Sequence, residues 1–417
     1  MSRTTRPSRP GSSAAGAEQL HQPGTPGFRR LNAAMVLAGL AAFGLLYAAQ
    51  PVLPQLGAEF GVGPSAASLA VSASTGALAL AVLPVAGLAA RWGRVRVMKV
   101  GLVLSVLLTL AVAVAPDFTT LVVLRVLSGL ALAAVVGVAM GHVGAEVHPG
   151  GLGSAMGLYV AGNSLGGVGG RLVTAGVSDG TSWRWGVVAL AAAAAVVTIL
   201  FWRLVPEAVA PEEPAAGDQP GPDVAPRATP WALAALVVVP FTLMGGFVAV
   251  YNYLGYRLSA APFDLPPAVL GLVFLAYLAG TLASALAGRA VDRVGRPPVL
   301  VVSVVVMVAG LLLTLPDRLW VVVLGLVVLT GGFFGAHATA SGWAPVVAAP
   351  RGTRGSAAYV AAYYAGSSVF GLAVGEAWAA YGWGGVVAAV ALLAALGLVA
   401  GLVVAVSERA RRGTVTP

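Results

Sequence analysis

Residues 98–141 read MKVGLVLSVLLTLAVAVAPDFTTLVVLRVLSGLALAAVVGVAMG, two apolar runs (98 to 115 and 119 to 141) on either side of Pro116-Asp117. Each run approaches or exceeds the ~20 residues a helix needs to cross a ~30 Å hydrocarbon core. A joint this short makes the two neighbours antiparallel. The pattern continues in both directions. Cutting the chain at its charges and its Pro/Gly clusters gives runs at 31 to 52, 66 to 89, 154 to 176 and 186 to 204 around the first pair. Six more follow at 231 to 253, 267 to 288, 298 to 315, 319 to 341, 356 to 377 and 384 to 406, with the tight joint repeated at Pro316-Asp317. Twelve membrane spans are therefore expected. The first is read as a span and not as a cleaved leader, because about 30 residues precede it and Tyr47 stands where a small residue would be needed before Ala49.

The composition agrees. Of 417 residues, 58% are hydrophobic and 9% charged, with a mean hydropathy of +0.89; a soluble domain carries roughly 25% charge. The chain has no cysteine, which removes disulfides, thiolate metal sites and cysteine nucleophiles, and its four histidines leave little metal chemistry. The net charge of +9 comes from short basic clusters between apolar runs, which argues against a nucleic-acid surface. With the N-terminus inside, nineteen of the 24 Lys and Arg fall on the inner side and three on the outer. The positive-inside rule then predicts a multi-pass plasma-membrane protein with both termini cytoplasmic. Residues 1–30 and 205–229, rich in Pro, Gly and Ser or in Pro and acids, read as a disordered cytoplasmic tail and a cytoplasmic linker. The expected units are six-helix bundles at 31–204 and 230–406, followed by a tail at 407–417.

The two halves repeat each other. Gly93-Arg94 returns as Gly295-Arg296, Pro116-Asp117 as Pro316-Asp317, and Tyr159-Val-Ala-Gly162-x-Ser164 as Tyr363-Tyr-Ala-Gly366-x-Ser368, at offsets of 202, 200 and 204. Six spans separate the copies, so they are parallel repeats related by an axis along the membrane normal. Rocking of two such bundles would open a central site to one side at a time.

Between spans two and three lies Gly87-Leu-Ala-Ala90-Arg91-Trp-Gly93-Arg94-Val-Arg96, and between spans eight and nine lies Gly288-Arg-Ala-Val-Asp292-Arg293-Val-Gly295-Arg296. These segments resemble the Asp-Arg-x-Gly-Arg loop of the major facilitator superfamily. With twelve spans and a central linker, the resemblance covers nearly the whole chain. The second copy is complete; the first has Ala90 in place of the Asp. The resemblance implies an all-α membrane fold of two six-helix bundles. It also implies a gating latch formed by Arg91, Gly93 and Arg94 in one half and Asp292, Arg293, Gly295 and Arg296 in the other. Arg125, with Ser128 and Gly129 beyond it, resembles the family's Arg-containing pattern in span four, implicated there in proton transfer or substrate contact. The glycines of span five partly resemble the antiporter motif, but Arg171 replaces the Pro expected after Gly170. These glycines also fit close helix packing through small side chains.

An Arg inside a span is costly and normally faces a polar cavity, so Arg125 and Arg171 are candidate substrate-binding residues. So are Asn163 near the midplane, Tyr47 and Gln50 in span one, Asn252 in span seven, and Tyr363 and Tyr364 in span eleven; Tyr277 and Ser367 also fall where the family lines its cavity. Tyr251 and Trp320 read as interfacial anchors. His142 and His337 read as loop-edge hydrogen-bonding groups. None of the 15 acids falls at mid-membrane; Glu376 comes closest. Two embedded arginines without deep acids favour a neutral or anionic small organic solute. No cofactor or metal is implied, and the remaining partners are the lipid bilayer and, as an open option, protons. The expected function is secondary transport by alternating access, with export preferred. The competing reading is a polytopic receptor or regulatory subunit that binds a ligand without moving it. An enzyme is not expected, since no Walker loop, His box or nucleophile elbow is found.

Overall fold

The computed structural model describes residues 20–207, 230–347 and 354–413, and the chain there is almost entirely helical. Residues 1–19, most of the expected linker (208–229) and the last four residues lie outside the described residues. Among those described, ten helices are long and apolar enough to cross a membrane. One of them, Ala357–Arg409, has 53 residues, which would extend ~80 Å if straight. It reverses at Gly382 (φ 58°, ψ −143°) and supplies spans eleven and twelve. Span five, Pro149–Gly180, is a helix of 32 residues whose many glycines dilute its hydropathy. Twelve spans result.

Local chemistry explains where the helices begin and break. The first starts at Pro26, earlier than its apolar run, because Thr25 Oγ1 accepts the Phe28 N–H at 3.2 Å and a proline fits the first turn. It ends at Leu46; a single 3-10 turn, Gln50–Val52, leads into Leu53–Phe60. Span eight is likewise interrupted, running as Pro267–Leu272, a 3-10 turn at Val273–Ala276 and Tyr277–Val294. The loops between spans two and three and between eight and nine each hinge on one glycine, Gly93 (φ 92°) and Gly295 (φ 83°), in a backbone region that favours residues without a Cβ.

Within each half, spans one and five, and correspondingly seven and eleven, meet through small residues. A Cβ on Gly162 would lie 2.5 Å from the Val36 carbonyl oxygen, and one on Gly366 would lie 1.9 Å from that of Phe241. The two positions are repeat equivalents, so the expected close packing holds in both halves. Twelve alternating spans leave both ends of the chain on one side of the bundle, here called the termini end. The opposite side is the far end.

Candidate functional site

Half of the polar candidates meet in one knot where the halves touch. Gln50 Nε2 donates to Asn252 Oδ1 at 2.8 Å, and Arg171 Nε donates to Gln50 Oε1 at 2.7 Å. Gln50 and Asn252 come from spans one and seven, the corresponding spans of the two halves, so this bond joins the halves across the pseudo-twofold axis. Asn252 Nδ2 donates in turn to the Gly371 carbonyl at 3.4 Å. The rest of the Arg171 guanidinium donates to the Gly167 carbonyl at 2.6 Å and to the Tyr277 hydroxyl at 3.4 Å. Its carbon lies 4.4 Å from the ring centre of Tyr47, 4.9 Å from Phe274 and 4.8 Å from Tyr277. An arginine 1% exposed is thus held by hydrogen bonds and by three aromatic rings. Five of the named residues, Tyr47, Gln50, Arg171, Asn252 and Tyr277, form one contiguous unit.

Arg125 lies elsewhere and does something different. Its Nε donates to the Ala70 carbonyl at 2.7 Å and its Nη1 to that of Leu45 at 3.1 Å, while Nη2 donates to Leu46. Leu45 and Leu46 end the first helix, and the last carbonyls of a helix have no partner inside it. The guanidinium satisfies them and so fixes the break that presents Tyr47 and Gln50. Gly129, one turn on, allows the approach of span two: a Cβ there would lie 2.1 Å from the Ser74 carbonyl oxygen.

Asn163 is half-buried and packs against span one at Gly39; among the described residues its Oδ1 has no hydrogen-bond partner. Tyr363 and Tyr364 touch edge-on, ring centres 5.1 Å apart. Tyr363 also meets His337 at 4.8 Å, and His337 Nδ1 lies 3.1 Å from the Tyr359 hydroxyl. The expected loop-edge position of His337 is therefore corrected: it sits within span ten, inside an aromatic cluster. His142 is 1% exposed, and among the described residues neither ring nitrogen has a hydrogen bond. A second correction concerns Tyr251. It is 1% exposed, not interfacial, and its hydroxyl lies 2.8 Å from Thr330 Oγ1, because the rings of Phe247, Phe274 and Tyr277 close around it. Trp320, 67% exposed, stays on the outside of the bundle. The phenylalanines of this cluster, Phe274, Phe333 and Phe334 among them, lie outside the candidate list; the adjacent pair Phe333-Phe334 in span ten was the visible signal.

Among the described residues, the loop residues form no bridge between the halves. Asp292 is exposed, makes no hydrogen bond or ion pair among the described residues, and borders a cavity of about 350 Å³ with Arg296, Glu408 and Arg409. Gly295 lines the same cavity, whereas Arg91 and Arg293 are exposed at the termini end. Contact between the halves is concentrated at the far end. Besides Gln50–Asn252 and Arg171–Tyr277, the hydrogen bonds across it are Tyr256 to Leu53, Ser65 to Leu372, Ser368 to Ser72 and Ala268 to Asp179. All join far-end halves of their spans. Among the described residues, none joins the halves at the termini end.

Known proteins share both the sequence and the fold. The sequence profile of the Major Facilitator Superfamily matches residues 35–274. The inner membrane transport protein YnfM of Escherichia coli (strain K12) is 38% identical over 410 residues, covering 96% of this chain and 98% of its own. The uncharacterized MFS-type transporter YybF of Bacillus subtilis (strain 168) is 37% identical over 366 residues, 87% of this chain and 90% of its own. Among solved structures, a bacterial homolog of the human lysosomal transporter Spinster, in an inward-facing and occupied conformation, superposes with a TM-score of 0.69. It has 15% identity, and the match covers 92% of this chain and 96% of that one. The nucleoside transporter NupG gives the same TM-score at 13% identity, covering 90% and 99%. These relatives are transporters, not enzymes, and a profile match over more than half of the chain, together with relatives above 30% identity along nearly its whole length, identifies this multi-pass membrane protein as a member of the major facilitator superfamily.

Proposed function

We propose that the chain is a secondary transporter that moves a neutral or anionic organic solute by alternating access, with the termini end facing the cytoplasm. One observation carries this reading: every hydrogen bond between the halves, among the described residues, lies at the far end. A molecule sealed at one end and unbridged at the other is one of the two states that alternating access requires. The charge asymmetry of the loops supports the assignment of the termini end to the cytoplasm. The state described is then inward-facing, and the far-end knot is its closed outer gate.

In this reading Arg171, Gln50 and Asn252 bond to one another while the gate is shut and face solute once it opens. Tyr47, Asn163, Tyr363 and Tyr364 line the path. Arg125 acts as a positioning residue through the break in span one. The latch residues Arg91, Gly93, Arg94, Asp292, Arg293, Gly295 and Arg296 engage in the opposite state, when the cytoplasmic end closes. Asp292 lies in the last turn of Tyr277–Val294, and on meeting the N-terminus of a neighbouring helix in that state its carboxylate would gain about 0.3–1 kcal/mol, enough to bias two states of similar energy. Export is the preferred direction, and protons remain an option as coupling ion. No observation favours a receptor that binds without transport.

The test is counterflow in proteoliposomes loaded with panels of anionic, neutral and cationic organic solutes. Exchange of an anionic or neutral solute, lost in Arg171→Ala, is expected. Exchange of cations alone, unchanged in that variant, would contradict the reading.

A further inference from the structure

We infer that the C-terminal half presents an aromatic binding face to the central cleft, and that the solute is a planar, conjugated molecule with a neutral or anionic polar edge. This rests on the transport reading above and narrows its substrate class. Four rings from three spans are half-buried: Tyr277 of span eight, Phe334 and His337 of span ten, and Tyr363 of span eleven. They touch in series. Tyr277 and Phe334 lie 6.0 Å apart between centres, and His337 and Tyr363 4.8 Å, with Phe333 bridging Phe334 and His337 at 5.3 and 5.9 Å. Behind them Phe247 and Phe333 stack at 4.0 Å with planes 9° apart, both 1% exposed, so the face has a rigid backing.

The face meets the N-terminal half at Tyr277, which receives the Arg171 guanidinium from span five. Packing alone does not demand these rings. At the repeat offsets of 200 in span ten and 202 in span eight, the counterparts of Phe333, Phe334 and Tyr277 are Ala133, Ala134 and Thr75, while Tyr363 corresponds to Tyr159. In spans eight and ten these places are therefore filled by small side chains in the other half, and only the Tyr363 position is aromatic in both. A wall needed only to fill space would use aliphatic residues. Ring faces and edges instead select a flat π-system, which gains offset or edge-to-face contacts that a saturated ring cannot make. Aromatic faces also attract cations, but here Arg171 already lies on Tyr47, Phe274 and Tyr277. Its charge opposes a second cation and suits a carboxylate or amide edge.

The experiment uses matched pairs: 2-naphthoate against its decahydro counterpart, and 2-naphthamide against its decahydro counterpart. Binding to the detergent-purified full chain is read by thermal shift and by titration. The flat member is expected to bind about two- to tenfold more tightly in both pairs. That preference should vanish in Phe334→Leu and in Tyr363→Leu and survive in Trp320→Leu, whose ring is exposed outside the bundle. The comparison of ligands in the unaltered protein holds even if a variant fails to fold. Equal affinity for flat and saturated members, binding of neither, or a preference untouched by both cleft variants would overturn the inference. A flat ligand that binds with the expected preference but shows no counterflow would sink the transport reading and leave the aromatic face standing.

Discussion

The two halves solve one problem with different parts. Spans three and nine both end at the far end with carbonyls that have no partner in their helix. In the N-terminal half Arg184, from the start of span six, donates to Ala113 and Ala115 at 2.8 and 3.0 Å and pairs with Glu59 at 2.7 Å. In the C-terminal half Arg257, from the end of span seven, donates to Thr314, to Leu315 and Pro316 at 2.9 and 3.1 Å, and to Asp317 at 3.1 Å. The tryptophans repeat as well, Trp183 donating to Glu59 and Trp383 to Thr314 Oγ1 at 3.1 Å. What the repeat retains is the physical requirement, a capped helix end, and not the residue that meets it.

The cleft shows the same lesson with the opposite outcome. Asn163 corresponds to Ser367 and Arg171 to Gly375 at the offset of 204. A Cβ on Gly375 would meet Ser65 and the Tyr253 hydroxyl at 2.5 Å, so that position is closed by packing where its counterpart carries a guanidinium. One half thus carries a guanidinium where the other is closed by packing, whereas the close helix contacts at Gly162 and Gly366 are kept in both.

The largest expected effect comes from the shared packing. Gly162→Leu and Gly366→Leu should each cost about 3 kcal/mol or more, since the close neighbour is backbone, which cannot move aside as a side chain can. Size-exclusion profiles and melting temperatures should deteriorate in both; a harmless change in either half would break the equivalence. Next come the arginine caps. Arg257→Ala should cost about 3 kcal/mol by stranding buried carbonyls, and Arg184→Ala, a third exposed, about 1 kcal/mol after solvent screening. Equal losses in melting experiments would remove the distinction.

The smallest effect concerns Asp117, whose repeat partner Asp317 serves Arg257. Asp117 instead caps span four, accepting the Thr120 N–H at 2.8 Å and its hydroxyl at 2.9 Å, and these bonds hold its carboxyl below the usual carboxylate range. A depressed native pKa gives stability that is complete above the ordinary pKa of ~4 and lost as pH falls through the native value. The advantage of the wild type over Asp117→Asn should be constant at neutral pH and disappear in acid. A difference independent of pH would refute this cap.

The parts of this molecule that follow from short-range rules were legible in the sequence: twelve spans from apolar length, the repeat from constant offsets, and the turns at Gly93 and Gly295 from glycine beside charge. The Gln50–Asn252 bond was nearly legible, since both were candidates on corresponding spans of the two halves. The role of Arg125 was not, because its partners are main-chain carbonyls, which carry no sequence signal. Tyr251 misled for a related reason. Its distance along the helix gives its depth, but only the neighbouring spans decide that it faces Phe274 and Tyr277 and not lipid.

The central claim is that the far-end knot holds one of two states, and it can be tested without knowing the solute. The chain has no cysteine, so spin labels can be placed without prior substitution. One pair, Thr181→Cys with Ser259→Cys, spans the far end, and another, Ser154→Cys with Val294→Cys, spans the termini end. Distances are measured by double electron–electron resonance in lipid, with the knot intact and with Gln50→Ala and Arg171→Ala combined. The predicted result is anticorrelated: breaking the knot adds longer distances at the far end and shorter ones at the termini end. Unchanged distributions, or lengthening at both ends together, would contradict the account.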